Sequence, residues 1–191
     1  MELMEQKILR EGKVLPGGIL KVGSFLNQQI DTVFLSQVGQ EIARLFGDCG
    51  VTKVLTIESS GIAIAAAAGM VMQVPLVFAK KHKTSNVDGS VYSTTVHSYT
   101  HDTDYTVVVS SDYLLPTDRV LLVDDFLANG KALFGLMELV EQAGATLVGA
   151  ACAIEKGFQG GGDRLRQQGV RVESLAIIEE MSDDGIRFRR S

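Results

Sequence analysis

Short apolar runs alternate along the chain with longer stretches in which apolar residues recur every three or four positions, the pattern of strands alternating with helices. Residues 2–11 form a first amphipathic stretch, closed by the turn-rich Pro16-Gly17-Gly18, and residues 19–26 read as a short extended or irregular piece. Over 32–46, Val33, Leu35, Val38, Ile42, Leu45 and Phe46 mark one face of a helix, with Asp31 placed to cap it. Residues 53–57 are a buried strand, and the polar turn Glu58-Ser59-Ser60-Gly61 leads into an alanine-rich helix to Met72, whose small side chains let it lie close on a sheet. A strand over 75–80 follows. The second half repeats the unit: strand 120–123, helix 131–142, strand 146–154, helix 158–168, strand 170–178. This predicts an α/β fold, a mostly parallel central sheet flanked by helices and joined by right-handed crossovers. The amino-terminal 30 residues and the C-terminal strand are expected outside the main sheet, as a small hood over its carboxyl edge.

Residues 82–104 break the pattern, being rich in Thr, Ser, Asp, Tyr and His with little core material. Within them 91–96 alternates loosely and is expected to pair with 105–110 as a hairpin. A long polar excursion inside a compact domain is commonly functional. Tyr92, His97 and His101 are candidate substrate contacts there, weighed against ordinary solvated loop residues.

Composition narrows the function classes. At 191 residues the chain fits one compact domain, 1–191. The longest apolar stretch, 61–72, falls short of the ~20 residues that cross a bilayer, so no membrane role is expected. The charged amino terminus lacks the apolar core of a signal peptide, and Cys49 and Cys152 have no zinc or disulfide spacing, which points to reduced thiols and a cytoplasmic location. A net charge of −5 without a basic patch argues against nucleic acid. The one basic cluster, Lys80-Lys81-His82-Lys83, is either a solvated strand end or a phosphate contact. No phosphate-binding G-x-x-x-x-G-K-[ST] run or dinucleotide G-x-G-x-x-G is present, and three histidines with two distant cysteines make no triad.

The most informative segment is 120–132, Val-Leu-Leu-Val-Asp-Asp-Phe-Leu-Ala-Asn-Gly-Lys-Ala. A branched apolar run of four suits a strand buried on both faces, and it ends in the carboxylates Asp124 and Asp125. The carboxyl end of such a strand, feeding a helix start, is where open α/β sheets bind ligands, and N–H groups there hold phosphate. Carboxylates repel a phosphate, so the pair implies a ligand that also offers hydroxyls or a cation. A phosphorylated sugar has that layout.

The segment resembles the 5-phosphoribosyl 1-pyrophosphate (PRPP) signature of the type I phosphoribosyltransferases. Its Asp-Asp-Phe-Leu-Ala-Asn-Gly form is similar to that of the bacterial xanthine phosphoribosyltransferases, and the similarity runs along essentially the whole chain. Where the family usually has threonines, Ala128, Asn129 and Ala132 stand here, which leaves backbone donors and the Asn129 amide for the phosphate. The resemblance implies a single domain with a mobile loop at roughly 82–104. It implies that Ala128, Asn129, Gly130, Lys131 and Ala132 hold the 5′-phosphate, with Asp124 and Asp125 by the ribose. Glu58, Ser59, Ser60 and Gly61 would hold pyrophosphate, with Lys80 or Lys81 adding charge. Taken alone, that turn reads first as an ordinary helix cap.

Leu20, Asn27, Lys156 and Phe158 would contact the nucleobase. Lys156 would bond the 6-oxo group and Phe158 would stack on the ring. Without the resemblance, Leu20 reads as core, Asn27 as a turn residue, and Lys156 as a surface end or the partner of Glu155. Mg2+ is expected to arrive with PRPP, with no metal site built from protein ligands, and a homodimer is expected. The implied activity is phosphoribosyl transfer to xanthine in purine salvage. The alternatives are a preference for guanine or hypoxanthine, and a non-catalytic PRPP-sensing regulator. Such regulators carry an added DNA-binding domain, for which the sequence before residue 30 leaves no room.

Overall fold

The computed structural model describes residues 1–82, 90–98, 103–182 and 185–190. Helix α1 spans Glu2–Glu11 and leads into a hairpin, β1 (Lys13–Leu15) and β2 (Ile19–Lys21), which forms a two-stranded sheet of its own. A single π-helical turn, Gly23–Asn27, precedes α2 (Thr32–Phe46), where Asp31 caps as expected by accepting from the Phe34 N–H. Strand β3 (Lys53–Ile57) and helix α3 (Gly61–Met72) lead to β4 (Leu76–His82), and the hairpin β5 (Val91–Ser98) and β6 (Thr103–Ser110) follows. Strand β7 (Arg119–Leu127), α4 (Lys131–Gln142), β8 (Thr146–Lys156), α5 (Gly161–Gln167), β9 (Val172–Ser182) and β10 (Gly185–Phe188) complete the chain.

The main sheet has the order β10-β9-β8-β7-β3-β4-β6-β5, and the five strands β4, β3, β7, β8 and β9 are parallel. The 120–123 run shows why it is apolar on both faces. Leu121 and Val123 pack in one core with residues of α1, α2 and α3, while Val120 and Leu122 pack in a second core with residues of α4. Both faces are thus covered, as a parallel sheet requires.

Several expected boundaries move. Strand β7 runs on through Leu127, so Asp124 and Asp125 lie within it rather than after it, and β8 likewise extends through Glu155 and Lys156. Pairing explains both extensions: the neighbouring strands supply partners beyond the apolar run, Asp124 opposite Cys152 and Lys156 opposite Ile178. The helix expected over 158–168 is divided, because Gly157–Gln159 forms a 3-10 turn and Gly160, at φ 72°, separates it from α5.

Of the expected hood, the amino-terminal part stands apart from the main sheet. The C-terminal strand does not: the strand expected over 170–178 is β9, which pairs parallel with β8 inside the main sheet, and β10 follows it antiparallel at the edge, with Ile186 and Phe188 packed on the first core. The eleven-residue β9 is long enough to offer this edge. Within the polar stretch at 82–104 the expected hairpin forms, with β5 and β6 pairing from Val91↔Ser110 to Ser98↔Thr103. The remainder of that stretch, 83–89 and 99–102 with His101, lies outside the described residues, as do the side chains of His82 and His97.

Candidate active site

The carboxyl ends of β3, β7 and β8 converge, and the segment 18–27 lies over them. Asn27 donates from its side-chain amide to Asp125 at 3.3 Å, and Lys156 donates to the Gly18 carbonyl at 2.9 Å. Three of the sequence-predicted groups therefore meet at one edge: the carboxylate pair, the lysine of β8 and the N-terminal segment.

Asp124 is buried, only 6 % exposed, and its carboxyl accepts from the Asp125 N–H at 2.9 Å. Burial, then the neighbouring Asp125 charge, push its pKa well above the usual carboxylate range, against the pull of that N–H and of Lys81. The surroundings register the same charge. Cys152, its strand partner, has its thiol pushed up by burial first and then by Asp124, and Tyr105 on β6 is raised in the same order.

The turn after β3 lies alongside. The Glu58–Ser59 peptide is cis, Glu58 donates its N–H to the Ala79 carbonyl at 3.0 Å, and its carboxylate accepts from the Lys81 N–H at 2.6 Å. Gly61 starts α3 where no side chain fits: a Cβ there would fall on Thr56 Oγ1 and lie 3.2 Å from Asp124 Oδ1. Thr56 Oγ1 itself is buried and without a hydrogen-bond partner among the described residues. Of the two candidate lysines, Lys81 is the one whose charge acts on Asp124. Its ammonium lies 5.1 Å from the Tyr105 ring centre and its charge reaches Asp124, whereas Lys80 lines a groove with Pro75, Phe78 and Tyr113.

After β7, Asn129 accepts from the Lys131 N–H through its side chain at 3.1 Å, and Gly130, at φ 82°, opens α4. The side-chain oxygen of Asn129 is thus spent on the helix start, leaving its amide nitrogen as the donor. Ala128 and Ala132 are half-buried, Ala132 against the second core.

At the end of β8, Lys156 is half-buried and burial lowers its pKa. Its ammonium lies 5.7 Å from the Phe126 ring centre as well as on Gly18. It is not the partner of Glu155, because Glu155 is fully buried and bound by Arg166 at 3.0 and 2.7 Å and by Ser174 at 2.5 Å. Phe158 is 46 % exposed and borders Gly18. Leu20 is buried in the first core, as its apolar character alone suggests, and Tyr92 packs against the second core.

Sequence reading missed Thr56, Tyr105, Gly161 and Arg164 near these elements. A polar residue within the buried run 53–57 was a signal for Thr56, and the glycine triplet 160–162 was one for Gly161. Among the described residues no group of three or more His, Cys, Asp or Glu is placed to hold a metal ion. No helix there is long and apolar enough to cross a membrane.

Comparison with known proteins agrees with this geometry. The phosphoribosyl transferase domain family matches residues 34–181. The xanthine phosphoribosyltransferase of Oceanobacillus iheyensis is 51% identical over 189 residues, covering 99% of this chain and 97% of that one. That of Moorella thermoacetica is 50% identical over 188 residues, covering 98% and 96%. Among solved structures, the adenine phosphoribosyltransferase of Giardia lamblia with 9-deazaadenine has a TM-score of 0.76 at 25% identity, covering 93% of this chain and 98% of that one. The Trypanosoma brucei enzyme in complex with AMP, pyrophosphate and ribose-5-phosphate has a TM-score of 0.75 at 18% identity, covering 95% and 82%. These two likenesses carry the fold.

Proposed function

The chain belongs to the phosphoribosyl transferase family, and on that footing we propose that it transfers the 5-phosphoribosyl group of PRPP to N9 of xanthine. The products are xanthosine 5′-monophosphate and pyrophosphate, a purine-salvage reaction. The observation that carries this reading is the meeting of Asp124-Asp125 and Lys156 beneath the segment that bears Gly18 and Asn27, with the 128–132 loop directly following the strand of the two carboxylates. The near-full-length identity to xanthine enzymes supports the choice of base.

Displacement at a sugar carbon passes through an oxocarbenium-like state. The C1–O bond breaks with its electrons leaving on pyrophosphate, the N9 electron pair forms the new bond, and the imidazole N–H proton of xanthine passes to solvent. The protein's part is positioning and charge stabilisation. Residues 128–132 hold the 5′-phosphate through backbone N–H groups, and Asp125, beside Asn27, faces the ribose hydroxyls and the developing positive charge, with Asp124 beneath it. The 58–61 turn takes pyrophosphate, with Lys81 rather than Lys80 adding charge. Mg2+ enters with PRPP as part of the substrate and stabilises the departing pyrophosphate.

Lys156 donates to the 6-oxo group of the base, Phe158 covers the ring, and Leu20 and Asn27 complete the pocket. Adenine, with a 6-amino group, offers Lys156 no acceptor. The enzyme works in the cytoplasm as a homodimer, a reading supported by the exposed apolar Val33, Met70 and Val71 on α2 and α3, which a second copy would cover.

The test is pyrophosphate release by the purified protein with PRPP, Mg2+ and xanthine. Release that requires all three is expected; PRPP binding without release would make the protein a sensor instead of an enzyme. Lys156→Ala should raise the KM for xanthine roughly 10- to 100-fold, the size of a hydrogen bond from a charged donor, and leave the KM for PRPP unchanged. An unchanged xanthine KM would remove Lys156 from base recognition.

A further inference from the structure

The loop 128–130 is gripped from outside the site. The Gly161 N–H donates to the Ala128 carbonyl at 3.1 Å, and Arg164 donates through Nη2 to the Asn129 carbonyl at 2.7 Å. A Cβ on Gly161 would fall on the Ala128 carbonyl oxygen and lie 2.6 Å from both the Asn129 carbonyl carbon and the Gly130 nitrogen, so the turn and the loop are in close backbone contact. The Arg164 N–H is itself tied to the Gly160 carbonyl at 3.1 Å.

We propose that the first turn of α5 is the positioning element of the 5′-phosphate loop, acting through Arg164 and Gly161. The inference rests on the assignment of 128–132 to the 5′-phosphate. In a trans peptide the carbonyl and the following N–H point in opposite directions. Drawing the Ala128 and Asn129 carbonyls towards α5 therefore sends the N–H groups of Asn129 and Gly130 the other way. If either peptide plane turned over, a carbonyl oxygen would face the phosphate in place of a donor. The orientation matters more here because Ala128 and Ala132 bring no hydroxyl to the ligand, leaving backbone N–H groups as the principal donors. Arg164 and Gly161 thus act through the loop, as positioning residues.

The experiment combines calorimetric binding of ribose 5-phosphate and, separately, of magnesium pyrophosphate with backbone amide NMR of the ligand-free protein. Arg164→Ala should bind ribose 5-phosphate about tenfold more weakly, the scale of one charge-assisted hydrogen bond. It should bind pyrophosphate as the parent does, and its Gly130 amide resonance should move before any ligand is added. Equal affinity for ribose 5-phosphate overturns the proposal. So does a weakening with an unmoved Gly130 amide, which would mean that the guanidinium touches the phosphate directly. Gly161→Ala should lose at least as much ribose 5-phosphate affinity, with retained pyrophosphate binding reporting an intact fold. If ribose 5-phosphate leaves the Asn129 and Gly130 amides of the parent protein unmoved, the loop assignment fails, and this proposal with it.

Discussion

Replacing Asp124 with Asn should give a protein that is harder to unfold and nearly inactive. The carboxyl is buried, and burial with the Asp125 charge raises its pKa in the folded state. An acid whose folded pKa exceeds its unfolded value contributes stability that is fully present below the unfolded pKa, near 4, and is lost as pH rises through the folded pKa. Asn is neutral throughout and keeps an oxygen for the Asp125 N–H. The melting temperature of Asp124→Asn should therefore match the parent near pH 4 and exceed it at pH 8. Turnover should fall by roughly 100-fold, the usual cost of losing one preorganised group from a charge-stabilising site. A melting temperature below the parent's at pH 8 would show that the carboxylate is held by favourable contacts instead of strained by burial.

Arg166→Ala should carry the largest stability loss. Glu155 is fully buried on β8, and Arg166 binds both of its oxygens. Removing the guanidinium leaves a buried carboxylate without its counter-charge, which costs about 3–5 kcal/mol, with Ser174 offsetting a part. Replacing both partners, as Glu155→Gln with Arg166→Met, should recover most of it, because a neutral pair carries no charge to desolvate. Urea unfolding of the three proteins decides this, and a loss under about 1 kcal/mol for the single variant would mean that solvent replaces the arginine. Glu155 precedes Lys156 in the same strand, so this ion pair also secures the end of β8 that presents the lysine.

The parts of the fold that were legible are those where one local rule dominates. The doubly apolar 120–123 run announced a central parallel strand, because both of its faces meet helices. Asp31 announced the start of α2 through its own hydrogen bond. Strand ends were less legible. Asp124, Asp125 and Lys156 are polar and fall just past the apolar runs 120–123 and 146–154, yet pairing with β8 and β9 keeps them in the ladder, a tertiary effect that periodicity does not carry. The place of β10 was hidden for the same reason, since an edge strand is recruited by the neighbour it covers.

The candidate site was legible where a motif concentrates chemistry, at 58–61 and 124–132, and much less so where contacts cross the chain. Lys156 to Gly18 joins residues 138 positions apart, and Arg164 reaches Asn129 from another helix. The choice of Lys81 over Lys80 depended on which side of β4 faces Asp124. The glycines 160–162 match no ligand motif, and only the close packing of Gly161 under the loop shows what the missing Cβ permits.

The central claim is transfer to xanthine, and the most direct test is a competition. The purified protein is given PRPP and Mg2+ with equal concentrations of xanthine, guanine, hypoxanthine and adenine, and the nucleotides formed are separated and quantified. The account predicts xanthosine 5′-monophosphate as the main product and adenosine 5′-monophosphate as the least. Adenosine 5′-monophosphate as the main product would contradict the role given to Lys156, and the absence of any nucleotide would contradict the reaction itself.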